Sequence, residues 1–349
     1  IMTNKGALSQ AQKLPLRGLF QPRAQKKLRR FAVSFCRYLL IICLAYLILA
    51  PIFRNISIAF TNPRDLNFPS SLWIPTRLSV ENWHVSALML DYGKALPYTL
   101  LSTSLIALLQ TLCAMLAGYS FARLKFPGRN VFFLLVVVTI VVPPQMCMLP
   151  QYLYFKEFDI GFLLKAITGK GLIEHITGSS VNLLNNSLSL YILNALGMGL
   201  KSGLYIYIFR QTFRGLPKEL EEAAYIDGAG FLRTFLHIVL PAAGAGLLTV
   251  GVLSFVWNWN DPHYVKLFDG ANKRNLMLAY TIATSSVDEA LATISSKVPV
   301  HYAFIMKSPV YESAIAKTAA LLVFLPLVGL YLIVQRWFIQ GVERSGIVG

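Results

Sequence analysis

Apolar residues along this chain gather into six long runs, at 32–53, 96–121, 131–149, 188–209, 238–257 and 315–338, with polar stretches between them. Each approaches the twenty or so residues that a helix rising 1.5 Å per residue needs to cross a hydrocarbon core about 30 Å thick. The pattern predicts an all-α membrane protein with six transmembrane helices, preceded by a basic tail at 1–30 and filling 31–349. A basic start before an apolar run also describes a secretory signal. The first run is long for a signal core and no small-x-small cleavage site follows, so it reads as an anchor. The third run ends at Pro143 and Pro144, and the fourth is irregular, with NALGMGLKSG at 194–203 putting three glycines and Lys201 inside it. In the fifth, Gly244, Gly246 and Gly251 read as close-packing positions.

Among the polar stretches, 217–241 (PKELEEAAYIDGAGFLRTFLHIVLP) is the most patterned. Pro217 suits a helix start, because the first turn needs no N–H there. Glu219, Glu221 and Glu222 then set negative charge on the positive end of the helix dipole. Leu220, Ala223 and Ala224 form a small, mostly apolar face. Gly228, after Asp227, ends the element in the left-handed conformation that glycine takes readily. A second helical run leads straight into the fifth span, so the pattern predicts a helix pair over 217–237 held at the membrane surface. The other loops are less regular. The prolines of 54–94 exclude a long helix, and Trp73 and Trp83 suit a membrane interface. The segment 150–186, with Gly161, Gly169, Gly171 and Gly178, has room for a short interfacial helix, and 261–313 is the longest loop.

Composition agrees with a membrane chain: 55% of residues are hydrophobic, 14% are charged and the mean hydropathy is +0.56. The net charge of +16 alone also fits a nucleic-acid binder, so its distribution decides. The stretch 5–37, the stretches 123–129 and 210–233, and the C-terminal end hold 18 Lys and Arg against five acids; the three alternate loops hold 12 against 11. That alternation follows the positive-inside rule and puts both termini in the cytoplasm. It does not give the single basic face with stacking aromatics that nucleic acid requires. The tail reads as a solvated or lipid-headgroup-binding segment. Cys36, Cys43, Cys113 and Cys147 sit in or beside apolar runs and read as small hydrophobes, with no disulfide framework.

An energy source for transport is missing from the chain. There is no G-x-x-x-x-G-K-[ST] phosphate loop, and none of the 16 acidic residues falls inside the six runs, where proton or sodium coupling would place carboxylates. The five histidines are scattered without metal-ligand spacing, and no G-x-S-x-G is present. The chain therefore reads as a transport subunit rather than an enzyme, without a cofactor of its own and energised by another subunit. Lys201, the one ionisable residue deep in a run, faces a solute path or snorkels outward from a helix that starts later. In WNWND at 257–261, Trp257 and Trp259 suit interfacial anchoring, while Asn258, Asn260 and Asp261 offer hydrogen bonds at an outer mouth. A stand-alone channel is the rival from another class, but it has no need of the patterned helix pair at 217–237.

At 222–241 the sequence resembles the EAA loop of inner-membrane permease subunits of ABC importers. Glu222, Ala223, Ala224, Asp227, Gly228, Ile238, Leu240 and Pro241 occupy the motif's places. PTRLSVENW at 75–83, FARLKFPGR at 121–129, WND at 259–261 and QRWFIQGVERSGIVG at 335–349 are similar to the carbohydrate-importer, maltose-type branch. The resemblance implies the type I ABC importer permease fold in a bacterial or archaeal cytoplasmic membrane. It also implies a second permease subunit, two ATPase subunits carrying ATP and Mg²⁺, and an extracytoplasmic solute-binding protein. Glu222 would then contact basic groups of the ATPase, and Gly228 would form the bend of the coupling helices. The tail at 339–349 resembles the family's C-terminus, with Val348 where a lysine is common. The loops 150–186 and 261–313 look longer than usual, which predicts added contacts to the binding protein.

Overall fold

The computed structural model describes residues 22–68, 73–159, 171–270, 277–284, 286–294 and 308–346. Gly161, Gly169, Val348 and most of the tail lie outside them. Among the described residues the chain is helical, with only two isolated β-bridges, Thr61 to Leu78 and Phe158 to Val181.

Three of the six apolar runs form continuous helices long enough to cross a membrane. These lie in α1 (Pro22–Phe60), α3 (Tyr92–Arg123) and α15 (Pro309–Gly346). Between α1 and α3 lies α2 (Glu81–Met89), so the proline-rich loop does exclude a long helix but not a short one. Of the interfacial tryptophans expected there, Trp73 is exposed and Trp83 is half-buried.

The other three runs are each broken into two helices. The third divides into α4 (Arg129–Val141) and α5 (Pro144–Lys156), bent by 110° where Pro143 and Pro144 interrupt the hydrogen-bond ladder. At 1.5 Å per residue α4 is about 20 Å long, too short for the full core. After α6 (Leu172–Thr177), the fourth run divides into α7 (Ser187–Ala195) and α8 (Ser202–Gly215). Gly197 at φ 72° and Lys201 at φ 63° carry that break through left-handed turns. Beyond α9 (Glu219–Ile226), the fifth run divides into α10 (Phe231–Ala242) and α11 (Gly244–Trp259), bent by 76°. A π-helical turn at Phe235–Val239 lies inside α10. The long loop holds α12 (Pro262–Asp269), α13 (Leu278–Thr284) and α14 (Val287–Ile294).

The core is organised around α3, whose apolar window is 44% buried against 22% for α15 and 0% for α1. It packs on α8 so closely that a Cβ on Gly118 would come within 2.5 Å of Phe209 Cβ. Of the three glycines expected to pack in the fifth run, only Gly246 does so, opposite Thr212 of α8. A Cβ on Gly244 or Gly251 would meet nothing within 4 Å.

Candidate functional site

The 217–241 segment folds as a capped helix and a bend. Helix α9 starts at Glu219, two residues after Pro217, with Glu219, Glu221 and Glu222 all in its first turn. It closes with a Schellman motif: Ala229 N–H donates to Ala224 O at 2.9 Å and Gly228 N–H to Tyr225 O at 3.1 Å, with Gly228 at φ 78°. The chain then enters α10 and runs into α11.

The two alanines of the motif part ways. Ala224 is buried, whereas Glu222, Ala223, Asp227 and Gly228 are exposed. Beside them stand Ile226 at 86% exposure and Leu232 at 69%, apolar groups with no cover from this chain. The outward surface is therefore acidic at its start and apolar at its end, which suits a docking face rather than a solvated loop.

The inward surface was not anticipated from sequence. Glu221 Oε1 lies 2.9 Å from Arg123 Nε at the end of α3, with side chains 14% and 8% exposed. Arg123 also donates to Leu216 O at 2.7 Å, and Tyr119 OH donates to Glu221 Oε2 at 3.4 Å. The Tyr119 ring packs on Phe213, Phe231 and Phe235, with centroids 5.3, 6.0 and 4.7 Å away. One acid of the triple, Glu221, thus holds the loop to α3, leaving Glu219 and Glu222 outward. The available signal was an arginine at the end of a span facing a three-acid helix.

The residues expected along a solute path divide. Lys201 caps α8 at the break, half-buried, its Nζ 5.1 Å from the Trp257 ring centroid. This geometry is that of a helix starting later, at Ser202, after Gly197 and Gly199. Asn258 is buried in a hydrogen-bonded knot centred on Gln110 of α3. The Gln110 amide donates to Leu200 O (2.7 Å) and Ser202 Oγ (2.9 Å), and its Oε1 accepts from Ser254 Oγ (2.5 Å) and Asn258 Nδ2 (3.0 Å). Gln110, an amide within an apolar run, was the overlooked sequence signal.

Asn260 is exposed and donates to Val256 O at 3.2 Å. Asp261 is buried and caps α12, accepting from the His263 and Tyr264 amides at 3.0 and 3.3 Å; burial pushes its carboxyl pKa up. The cavity that Asn258 and Asp261 help line holds only about 10 Å³, room for one water and no solute. Trp259 corrects the anchoring expectation: it is 1% exposed and donates from Nε1 to Val323 O at 3.1 Å, while Trp257 is 45% exposed.

Residues 110–344 match the sequence profile of the binding-protein-dependent transport system inner membrane component. The chain belongs to that family. It is a membrane transport component, as the apolar helices require, and not an enzyme. Among its relatives are the sn-glycerol-3-phosphate transport system permease protein UgpE of Yersinia enterocolitica, 27% identical over 66% of each chain, and the melibiose/raffinose/stachyose import permease protein MelC of Bacillus subtilis. MelC is 27% identical over 80% of this chain and 85% of its own. The match thus spans just under two thirds of UgpE's length and more of MelC's. A solved bacterial ABC transporter involved in the import of the acidic polysaccharide alginate shares the fold, with a TM-score of 0.59 and 19% identity over 89% of this chain and 97% of that one.

Proposed function

We propose that this chain is a permease subunit of an ATP-driven carbohydrate importer. It forms the translocation path with a second permease subunit, receives solute from an extracytoplasmic binding protein, and takes up the ATPase stroke through Glu222, Ala223, Ala224, Asp227 and Gly228. The observation that carries this reading is the two-faced α9. Its inward side is fixed to α3 by Arg123 and Glu221, and its outward side offers acid and uncovered apolar groups. A force on that face reaches α3 through the Arg123–Glu221 pair. ATP and Mg²⁺ belong to the ATPase subunits on this reading, and this chain needs no cofactor. Family membership supports it, as do relatives named for sugars, MelC and the alpha-glucoside permease protein AglG of Rhizobium meliloti among them.

A second reading, import of an anionic solute, has its own support: Lys201 stands at the break of the fourth run, and the UgpE relatives are named for a phosphorylated solute. Uptake by the reconstituted importer decides between them. Neutral oligosaccharides should be taken up with ATP and bound by the cognate binding protein. Uptake of sn-glycerol 3-phosphate alone, abolished in Lys201→Gln, would transfer the assignment to the anionic reading. Failure of the chain to copurify with an ATPase subunit would remove both.

A further inference from the structure

Arg54 and Lys317 have no place in the function just described. One lies near the end of α1 and the other near the start of α15, in antiparallel helices that pack together. Both line a groove of about 430 Å³, within the size range of small-ligand sites. On α15 the lining residues Val310, Ser313, Ala314 and Lys317 recur at i, i+3, i+4 and i+7, which is one helical face. On α1, Arg54 and Ile58 sit one turn apart, and Asn67 closes the groove from the loop.

No acid lines it among the described residues. Glu312, the nearest acid on α15, shares a hydrogen bond with Asp288 of α14.

The place of the groove in the bundle identifies the occupant. Arg123 and Glu221 meet at the C-terminal end of α3, whereas Tyr92 at its N-terminal end donates to Leu322 O, and Ser86 donates to Ile315 O. Lys317 therefore stands at the opposite end of the bundle from the coupling loop. At 1.5 Å per residue it is about 12 Å from the Pro309 end of α15, and Arg54 about 9 Å from the Phe60 end of α1. Arg54 directly follows the first apolar run and Lys317 lies two residues inside the sixth, so both cations stand at the boundary of the apolar segments, where lipid headgroups begin. Below the groove, α1 presents Leu47 and Ile48, each 67% exposed, as an apolar wall for a chain to lie on. Two lone cations at lipid-facing helix ends would each snorkel separately. Here two helices bring them into one cavity with two neutral hydrogen-bonding side chains.

We propose that this groove binds an anionic phospholipid of the leaflet opposite the coupling loop. Arg54 and Lys317 clasp the phosphate, Asn67 and Ser313 hydrogen-bond the headgroup, and an acyl chain runs along α1. The test uses the assembled importer in nanodiscs of equal phosphatidylglycerol and phosphatidylcholine, with lipids retained after delipidation counted by native mass spectrometry. Wild type should keep phosphatidylglycerol in preference by on the order of tenfold, from two cations near a lipid surface. R54Q/K317Q should lose that preference at unchanged assembly mass, while K266Q, which removes an exposed lysine of α12, should keep it.

Equal retention of the two lipids by wild type, or an undiminished preference in the double variant, would overturn the site. Displacement of the bound lipid by inorganic phosphate would do the same, since the anion would then come from water. Should the double variant fail to assemble, R54Q and K317Q are read singly, and the site stands only if each weakens the preference.

Discussion

Gly228 holds φ 78° at the end of α9, and a Cβ there would meet no atom within 4 Å. Any cost of substitution is therefore backbone strain rather than crowding, about 1–2 kcal/mol for an L-residue in the left-handed region. Gly228→Ala should insert normally and lower ATP-driven uptake, by a loosened bend rather than a lost contact. Gly228→Pro also deletes the N–H that Tyr225 O accepts, so uptake should vanish while insertion persists. Wild-type uptake in the proline variant would remove the coupling role. Asp65 offers a residue-scale test at the other end. Arg77 Nε donates to its carboxylate at 2.8 Å and Thr76 Oγ1 at 3.1 Å, and the Arg77 contact holds the Asp65 pKa below its ordinary value. Because the folded value is the lower one, the stabilisation is present at neutral pH and fades as pH falls through the ordinary carboxylate value and then the folded one. Acidification should therefore speed proteolysis of the 60–80 segment, and Asp65→Asn should cleave fast already at neutral pH with little further pH response.

Between helices, the Arg123–Glu221 pair clasps α3 to α9. Removing one partner of a buried ion pair leaves a stranded charge, at about 3–5 kcal/mol. Arg123→Glu and Glu221→Arg should each uncouple ATP hydrolysis from uptake, and the exchanged double variant should recover part of it. If the swap recovers nothing while each single variant keeps its fold, the pair acts through something other than mutual attraction. Gln110 makes a parallel case: Gln110→Leu takes the partner from the Ser254 and Ser202 hydroxyls, while Asn258 keeps its bond to Ser254 O at 2.8 Å, at about 1–3 kcal/mol per orphaned group, read as a lower unfolding temperature of the detergent-solubilised chain. These two contacts also show where sequence reading stops. The apolar runs, the capped helix over 219–226 and the glycine at its end were legible because each is a local pattern. The breaks were half legible, in Pro143 with Pro144 and in the glycines before Lys201, but hydropathy averages over a kink and counts it as span. Arg123 with Glu221, and Gln110 with Asn258, join residues far apart in sequence. Nothing in a single chain announces which distant partner a buried polar group will find.

The two ends of α3 connect the 261–313 loop to the 217–241 segment. The inner end is clasped by Glu221. The outer end packs with Trp259 and Leu278 in one apolar cluster, and α11 and α15 are braced there by the Trp259 bond to Val323 O. Helix α14 belongs to the next cluster out: Leu291 and Ile294 are buried with Ile58, Val85 and Ile315, while Asp288 and Glu289 stay exposed. A binding protein pressing on α14 would thus act on α1, α2 and α15 together. We predict that deleting 284–300, part of which lies outside the described residues, weakens docking of the loaded binding protein. Because the deletion also removes Leu291 and Ile294 from a packed cluster, the exposed pair gives the cleaner test. Asp288→Lys with Glu289→Lys leaves the apolar contacts in place and reverses the charge of the face. The variant should assemble with wild-type yield and keep its basal ATP hydrolysis, yet lose the stimulation that a loaded binding protein provides, with docking weakened on the order of tenfold for two reversed rim charges. Undiminished stimulation and docking in both the deletion and the charge reversal would mean that the long outer loop serves the packing of this chain alone.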